Sequence, residues 1–536
     1  MSGRLIVEDW RNVRRRSTLL AAAFTILAAL LPLSTAGAAA AADGATRAAA
    51  KGGITWAACQ EEPEAECGKL AVPIDWSKPN GPKIELSLAR RKALDPEARV
   101  GSLVINPGGP GGSGVEAVYG APGSYTEELR KHFDIVGFDP RGVGRSHPVT
   151  CSASVYNKFP YAVMKSQADF DKWKAFAKKL REDCRQRTGP LYDHVDSVSV
   201  ARDVEAIRAA LGEGKLNFYG ISYGTLIGQM YAELFPGKIR TMALDSNMDH
   251  SLGVGAFLTT EAAAVEDAFD QFVGWCEQET ACALHGKDVR AVWERLLKKA
   301  RDGKLYYPGV KDRPMTEIQV LWQGVLGTEG PAWQLLSQML NALDGGTPPD
   351  EVPPLPGRQP VSGETVELNT TILCEDYKLP VRNYREYAAL MKVSSRIAPD
   401  MRLNPMPVED LPVCLGHPTK NPQHRLRYTG DAPILLGNSL HDPSTPWIWS
   451  ANVARQLGSK AVLLTYEGWG HRIYGKDRCS TVPFDEYLIS LKMPKKGARC
   501  EVGGSDPTLK MLRKKEVWPT DGLKWGSPVA AAAERS

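Results

Sequence analysis

Apolar positions fall into two rhythms along this chain. Short apolar runs, Ser102 to Ile105, His132 to Phe138, Leu216 to Tyr219 and Ile239 to Leu244, each stop at a loop. A brief run of this kind predicts a strand buried on both faces, as in a parallel sheet. Between the second and third runs, Val200, Val204, Ile207 and Leu211 recur at helical spacing, which predicts a helix from Val198 to Leu211. Strands alternating with helices define an α/β class with a parallel sheet covered on both sides. The rhythm breaks after Asp249. Residues 250–345 read as mostly helical, with Ala262, Val265, Phe269, Phe272 and Val273 on one face. Residues 346–365 are rich in proline and glycine, and 366–415 read as further helix with loops. The strand–helix alternation returns at Ala432 to Gly437 and at Lys460 to Tyr466. The simplest plan is one α/β core, residues 43–249 and 421–527, split by a mainly helical insertion at 250–420, with a frayed tail at 528–536. A separate middle domain is the alternative.

The start of the chain has a different character. Arg11, Arg14, Arg15 and Arg16 precede an apolar stretch from Leu19 to Leu33, and small residues follow up to Ala42. That is the order of a secretory leader, placed here at 1–42 with cleavage near Ala40–Ala42. The other reading is a membrane anchor, but a spanning helix needs roughly 18–20 apolar residues. The run is shorter and Pro32 interrupts it. Arg15-Arg16 also admits twin-arginine export, against which Thr18 stands.

Composition changes this picture in two places. The net charge of +4 contains +3 from five arginines and two acids in residues 1–42, so the body is nearly balanced. No basic footprint remains for nucleic acid. Ten cysteines follow the leader, an even number that favours disulfides in an oxidising compartment. Short loops close at least entropic cost, so neighbour pairing is expected: 59–67, 151–184, 276–282, 374–414 and 479–500. The absence of any C-x-x-C pair argues against a zinc site.

Candidate chemistry begins at Gly220-Ile221-Ser222-Tyr223-Gly224, a G-x-S-x-G sequence with an apolar strand before it and a helical pattern, Thr225 to Phe235, after it. Strand, sharp turn and helix make a nucleophile elbow, which aims the Ser222 hydroxyl at the positive end of the following helix. A serine hydroxyl needs a base, and of nine histidines His471 is favoured because it follows the predicted strand 460–466 at its carboxyl end, with His441 the nearest rival. His250, His285, His417 and His424 lie in or beside the insertion, and His441 adjoins the best acid. That acid is Asp442, placed after strand 432–437 and before a turn, giving the chain order Ser, Asp, His of α/β hydrolases. Asp245, at the end of strand 239–244, competes for the role and otherwise reads as a loop-fixing residue. Asn106 to Gly114, with five glycines in nine residues, follows strand 102–105 and suits an oxyanion loop. It lacks the endings of a phosphate-binding loop. The N–H groups of Gly109 and Tyr223 are the candidate oxyanion donors. Asp139-Pro140-Arg141-Gly142 reads as a structural turn. The chemistry calls for no cofactor and no metal.

With these motifs in place the chain resembles the secreted bacterial tripeptidyl aminopeptidases, relatives of the prolyl aminopeptidases. The resemblance rests on Asn106 to Gly114, Gly137 to Gly142, Gly220 to Thr225, Leu244-Asp245, Cys374-Glu375-Asp376 and Gly470-His471. It implies an α/β-hydrolase fold, with a mostly parallel central sheet and a large helical cap insertion. It also implies a secreted exopeptidase that releases short peptides, of tripeptide length, from free N-termini of peptides or proteins. Such an enzyme binds an ammonium group, for which a carboxylate is needed in a partly dry site. The resemblance points to Asp376, with Glu375 beside it; a solvated helix face is the other reading. Ser246-Asn247 departs from the small Gly-Val run expected after Asp245, which puts nearby pocket contacts in doubt. A secreted esterase or lipase, or a silent binding protein on the same scaffold, are the competing functions.

Overall fold

In the computed structural model, residues 53–330 and 332–502 are described. The expected leader (1–42), the start of the mature chain (43–52) and the tail (528–536) lie outside the described residues. Twelve strands occur among the described residues, numbered in chain order. The first five are β1 (Ala57–Ala58), β2 (Glu66–Pro73), β3 (Lys83–Arg91), β4 (Gly101–Asn106) and β5 (Phe133–Phe138). Then follow β6 (Thr150–Ser152), β7 (Leu216–Ile221), β8 (Ile239–Asp245) and β9 (Thr365–Glu367). The last three are β10 (Ile434–His441), β11 (Ala461–Trp469) and β12 (Arg499–Cys500).

Ten of these form one sheet in the order β1-β2-β3-β5-β4-β7-β8-β10-β11-β12. From β5 to β12 every neighbouring pair is parallel, while β1, β2 and β3 join antiparallel at one edge. β4 and β5 are buried at every position, as their uninterrupted apolar runs require. The helices Ser197–Ala210 and Tyr223–Leu234 cover one face, contributing Val204, Ile207, Leu226 and Met230 to a core shared with Phe218 and Leu244. The other face buries Ile105, Ile135 and Tyr219 against Phe484 and Tyr487 of the helix Arg478–Ser490.

Between β8 and β10 the chain leaves the sheet. Helices Val254–Gln278, Val289–Arg301, Glu317–Glu329 and Trp333–Leu343 pack on one another around Phe269, Phe272, Trp293, Leu321 and Leu340. This segment has a core of its own, but it is tied back: β9 pairs antiparallel with β6, and Trp469 of β11 packs against Trp333. The mostly parallel sheet with helical insertions is therefore the α/β class that the pattern predicts and the α/β-hydrolase architecture that the resemblance implies. Five disulfides join Cys59–Cys67, Cys151–Cys184, Cys276–Cys282, Cys374–Cys414 and Cys479–Cys500, the neighbour pairing expected from loop length. Among the described residues no helix is long and apolar enough to cross a membrane.

The Asp139-Pro140-Arg141-Gly142 turn is structural. Arg141 is fully buried, forms a bidentate pair with Asp203 (2.6 and 2.7 Å), and donates to the carbonyls of Pro73, Ile74 and His194. Asp203 also accepts from the Trp76 indole at 3.0 Å, so both charges are compensated without water.

Candidate active site

Parallel strands that start in register end together, and loops at their carboxyl ends share one edge of the sheet. β7 ends beside Ser222, β8 ends in Asp245, β10 runs into Asp442, and β11 runs into His471. Ser222 stands at φ 56°, ψ −125°, a backbone region that non-glycine residues rarely occupy. The turn is tight. A Cβ on Gly224 would lie 2.4 Å from the carbonyl oxygen of Asn106, so the elbow and the glycine loop approach too closely for any side chain there.

The acid and the imidazole are joined. Asp442 is buried, and its carboxylate meets His471 Nδ1 at 3.0 and 3.1 Å. The same carboxylate accepts the Ser444 and Thr445 N–H groups (both 2.9 Å), the Thr445 hydroxyl (3.0 Å) and the Ser246 hydroxyl (2.8 Å). Burial alone would raise this carboxyl, but the facing imidazole and these donors hold it below its ordinary value. Burial alone would lower His471. The Asp442 carboxylate overrides that, with Glu329 and Asp245 adding to it, and raises the imidazole to about 9.

The loop carrying His471 is fixed residue by residue. The His471 N–H donates to the Glu329 carbonyl (2.5 Å), and the Arg472 N–H to the Ser246 hydroxyl (2.8 Å). The N–H groups of Ile473 and Tyr474 donate to the Asp245 carboxylate at 2.9 to 3.1 Å. Asp245 also accepts from the Tyr219 hydroxyl (2.9 Å), and its carbonyl accepts the Ser222 N–H (3.0 Å). Asp245 thus fixes loops on both sides of the site, while Asp442 faces the imidazole. The structure gives no hydrogen bond between the Ser222 hydroxyl and His471; what joins their two loops is Asp245.

The glycine loop lies against the elbow. A Cβ on Gly108, at φ +94°, would fall 2.9 Å from the Tyr223 nitrogen and 2.3 Å from the Ile221 carbonyl oxygen. The Gly108 N–H is used by the Asn106 side chain at 3.0 Å. Among the described residues no protein acceptor pairs with the Gly109 or the Tyr223 N–H.

Glu375 and Asp376 are placed differently from what an ammonium site requires. Both are buried, Glu375 against His417 Nε2 at 2.8 Å. Asp376 is enclosed by donors from Ser197, Asn421 and Tyr223, and burial, with Asp196 nearby, still raises its carboxyl to about 7. Neither carboxylate is open as it stands. Ser246, Thr445 and Glu329 are the site residues that sequence reasoning passes over. Ser246 bridges Asp442 and the His471 loop, and its break from the expected small run was the available signal. The Thr445 hydroxyl lies 3.2 Å from His471 Nδ1. Glu329, at the end of helix Glu317–Glu329, accepts from the Ser444 hydroxyl (2.7 Å) and is half-buried.

A strained serine after one parallel strand, and an acid–imidazole pair after two later ones, define a hydrolase of the α/β type. A family model described as alpha/beta hydrolase fold matches residues 101–476, and the chain belongs to that family. It is 31% identical over 461 residues to "Serine protease Hip1" of Mycobacterium tuberculosis, covering 81% of this chain and 87% of that protein. It is 30% identical over 478 residues to "Tripeptidyl aminopeptidase" of Streptomyces lividans, covering 84% and 87%. A third relative, 28% identical over 457 residues, is "Carboxylesterase B" of Mycobacterium tuberculosis, with 81% and 86% covered.

Proposed function

We propose that this chain is an exported serine exopeptidase that releases short peptides, of tripeptide length, from free N-termini through an acyl-enzyme. In this reading Ser222 attacks the scissile carbonyl, and His471 takes its proton and returns it to the leaving amine. Asp442 holds the tautomer with the proton on Nδ1 and stabilises the imidazolium. The tetrahedral oxyanion is met by the N–H groups of Gly109 and Tyr223. The observation that carries the reading is the buried Asp442–His471 pair at the same sheet edge as a strained serine whose hydroxyl makes no hydrogen bond among the described residues. Proton transfer needs Ser222 and His471 within hydrogen-bond reach in the substrate complex, a contact that commonly tightens only there.

The exopeptidase part is supported by the relatives named a serine protease and a tripeptidyl aminopeptidase, and by one carboxylate. Glu329 comes from the insertion, adjoins His471 and has a serine hydroxyl, not a cation, as its side-chain partner. We assign it the substrate ammonium in place of Glu375 and Asp376. Export is supported by the five disulfides, which persist in oxidising compartments, and by the leader pattern. The carboxylesterase relative favours a second reading, an esterase with the same attack chemistry and a different pocket.

Purified enzyme is to be assayed on tripeptide anilides with free and acetylated N-termini and on a simple ester. The peptidase reading expects turnover of the free peptide alone among the anilides, with Ser222→Ala reducing it by about 10⁴-fold or more. Glu329→Gln is expected to raise KM for free-amine substrates about tenfold, the scale of a lost charge-assisted contact. Ester turnover without anilide turnover selects the second reading. Undiminished hydrolysis by Ser222→Ala rules out both.

A further inference from the structure

We propose that Asp376 is a positioning residue for the nucleophile elbow, holding from the insertion side the residue that supplies an oxyanion donor. The inference rests on the reading of Ser222 as nucleophile and of the Tyr223 N–H as a donor. Its observation is separate, a closed hydrogen-bond knot behind the elbow.

Tyr223 is the first residue of helix Tyr223–Leu234, directly after the strained Ser222. Its N–H lies against the glycine loop, but its side chain runs the other way, and its hydroxyl donates to Asp376 Oδ2. Both residues are buried, at 4% and 0% exposure, so water does not compete for the contact. Asp376 is itself immobilised. Its Oδ1 accepts from the Ser197 hydroxyl (2.6 Å) and from Asn421 Nδ2 (2.8 Å), and the Ser197 N–H lies 3.0 Å from both oxygens. Ser197 opens the helix Ser197–Ala210, whose aligned N–H groups favour a negative charge at that end. The Asp376 carbonyl accepts from His250 Nε2 at 2.7 Å, and two residues earlier Cys374 is bonded to Cys414.

Tyr223 is therefore held at both ends, by the helix it begins and by the carboxylate at its hydroxyl. The elbow backbone is strained and would relax by rotating the peptide between Ser222 and Tyr223, the unit that carries the donor N–H. Fixing the far end of the Tyr223 side chain opposes that rotation. A single oxyanion donor is worth about 10²–10³ in kcat, so mis-aiming one without deleting it is expected to cost about tenfold. This role differs from binding a substrate ammonium, which acts on KM and only for free-amine substrates.

The test uses Asp376→Asn, Tyr223→Phe and the double variant in the full mature chain. Tyr223→Phe keeps the ring packing and guards against loss of fold in Asp376→Asn. Active sites are counted by a fluorophosphonate probe, with the labelled peptide identified, and kcat and KM are measured on an anilide and on an ester. We expect kcat per labelled site to fall about tenfold on both substrates, with KM within about twofold and the double variant no worse than the poorer single one. A KM rise confined to free-amine substrates would overturn the proposal in favour of ammonium binding. A lowered Tm with kcat per site within about twofold of wild type would overturn it in favour of a purely structural bond. Failure of the wild-type chain to label at Ser222 would remove the underlying reading instead, and with it this inference.

Discussion

Replacing Asp442 by asparagine tests the electrostatics of the site most directly. In the folded protein His471 rises from an ordinary 6.5 to about 9, against the downward pull of its own burial. The rise favours imidazolium over imidazole by about 3 kcal/mol, at about 1.4 kcal/mol per tenfold change. Only the neutral imidazole can take the serine proton, so kcat/KM of the wild-type enzyme is expected to climb with pH and level off near 9. Asparagine removes the leading cause of the rise while burial persists, so the imidazole drops and the ascending limb moves toward acid. More base is then present at neutral pH, yet kcat is expected to fall by about 10³–10⁴-fold, because the amide stabilises neither the imidazolium nor the required tautomer. The assay is a pH series of kcat/KM on a tripeptide anilide, with the fold checked by thermal melting. An unmoved limb, or a kcat within threefold (about 0.7 kcal/mol) of wild type, would refute the reasoning.

Asp245→Asn is expected to lose less activity than Asp442→Asn and to lower the melting temperature, because it loosens the Ile473 and Tyr474 N–H contacts without facing the imidazole; the opposite ranking of kcat would make Asp245 the orienting acid. Gly108→Ala places a Cβ 2.3 Å from the Ile221 carbonyl oxygen and 2.9 Å from the Tyr223 nitrogen at a φ of +94°, so kcat should drop about 100-fold, the value of one oxyanion donor, in a single-turnover assay. Asp203→Asn leaves Arg141 buried without its counter-charge and should destabilise the fold by about 3–5 kcal/mol in denaturant titration, with kcat of the folded protein little changed.

Much of the sheet was legible because burial on both faces leaves a mark in the sequence itself. The runs at 102–105, 216–219 and 239–244 reappear as β4, β7 and β8, and all three lengthen by a residue or two at their carboxyl ends, toward the site. The placement of Ser222, Asp442 and His471 at the carboxyl edge of the sheet was legible for the same reason, since each follows such a strand. The antiparallel edge β1–β3 was not, because β1 is only two residues long and β2 is partly exposed along most of its length. The β6–β9 pairing was hidden by its length of three residues and the long stretch of chain between its strands. Contacts such as Ser246 to Asp442 leave no periodic trace, so only the fold reveals them. The surroundings of Asp376 were hidden for a clearer physical reason. A buried carboxylate in an insertion demands donors, and its sequence neighbourhood does not say whether a phenol of the same chain or the amine of a guest will supply them.

The imidazole stands on the loop after β11, held by groups from β8 and from the helix Glu317–Glu329. On the roles proposed above, a chain made from its amino end carries the attacking alcohol long before it owns a base, so in that reading hydrolysis waits on completion of the fold.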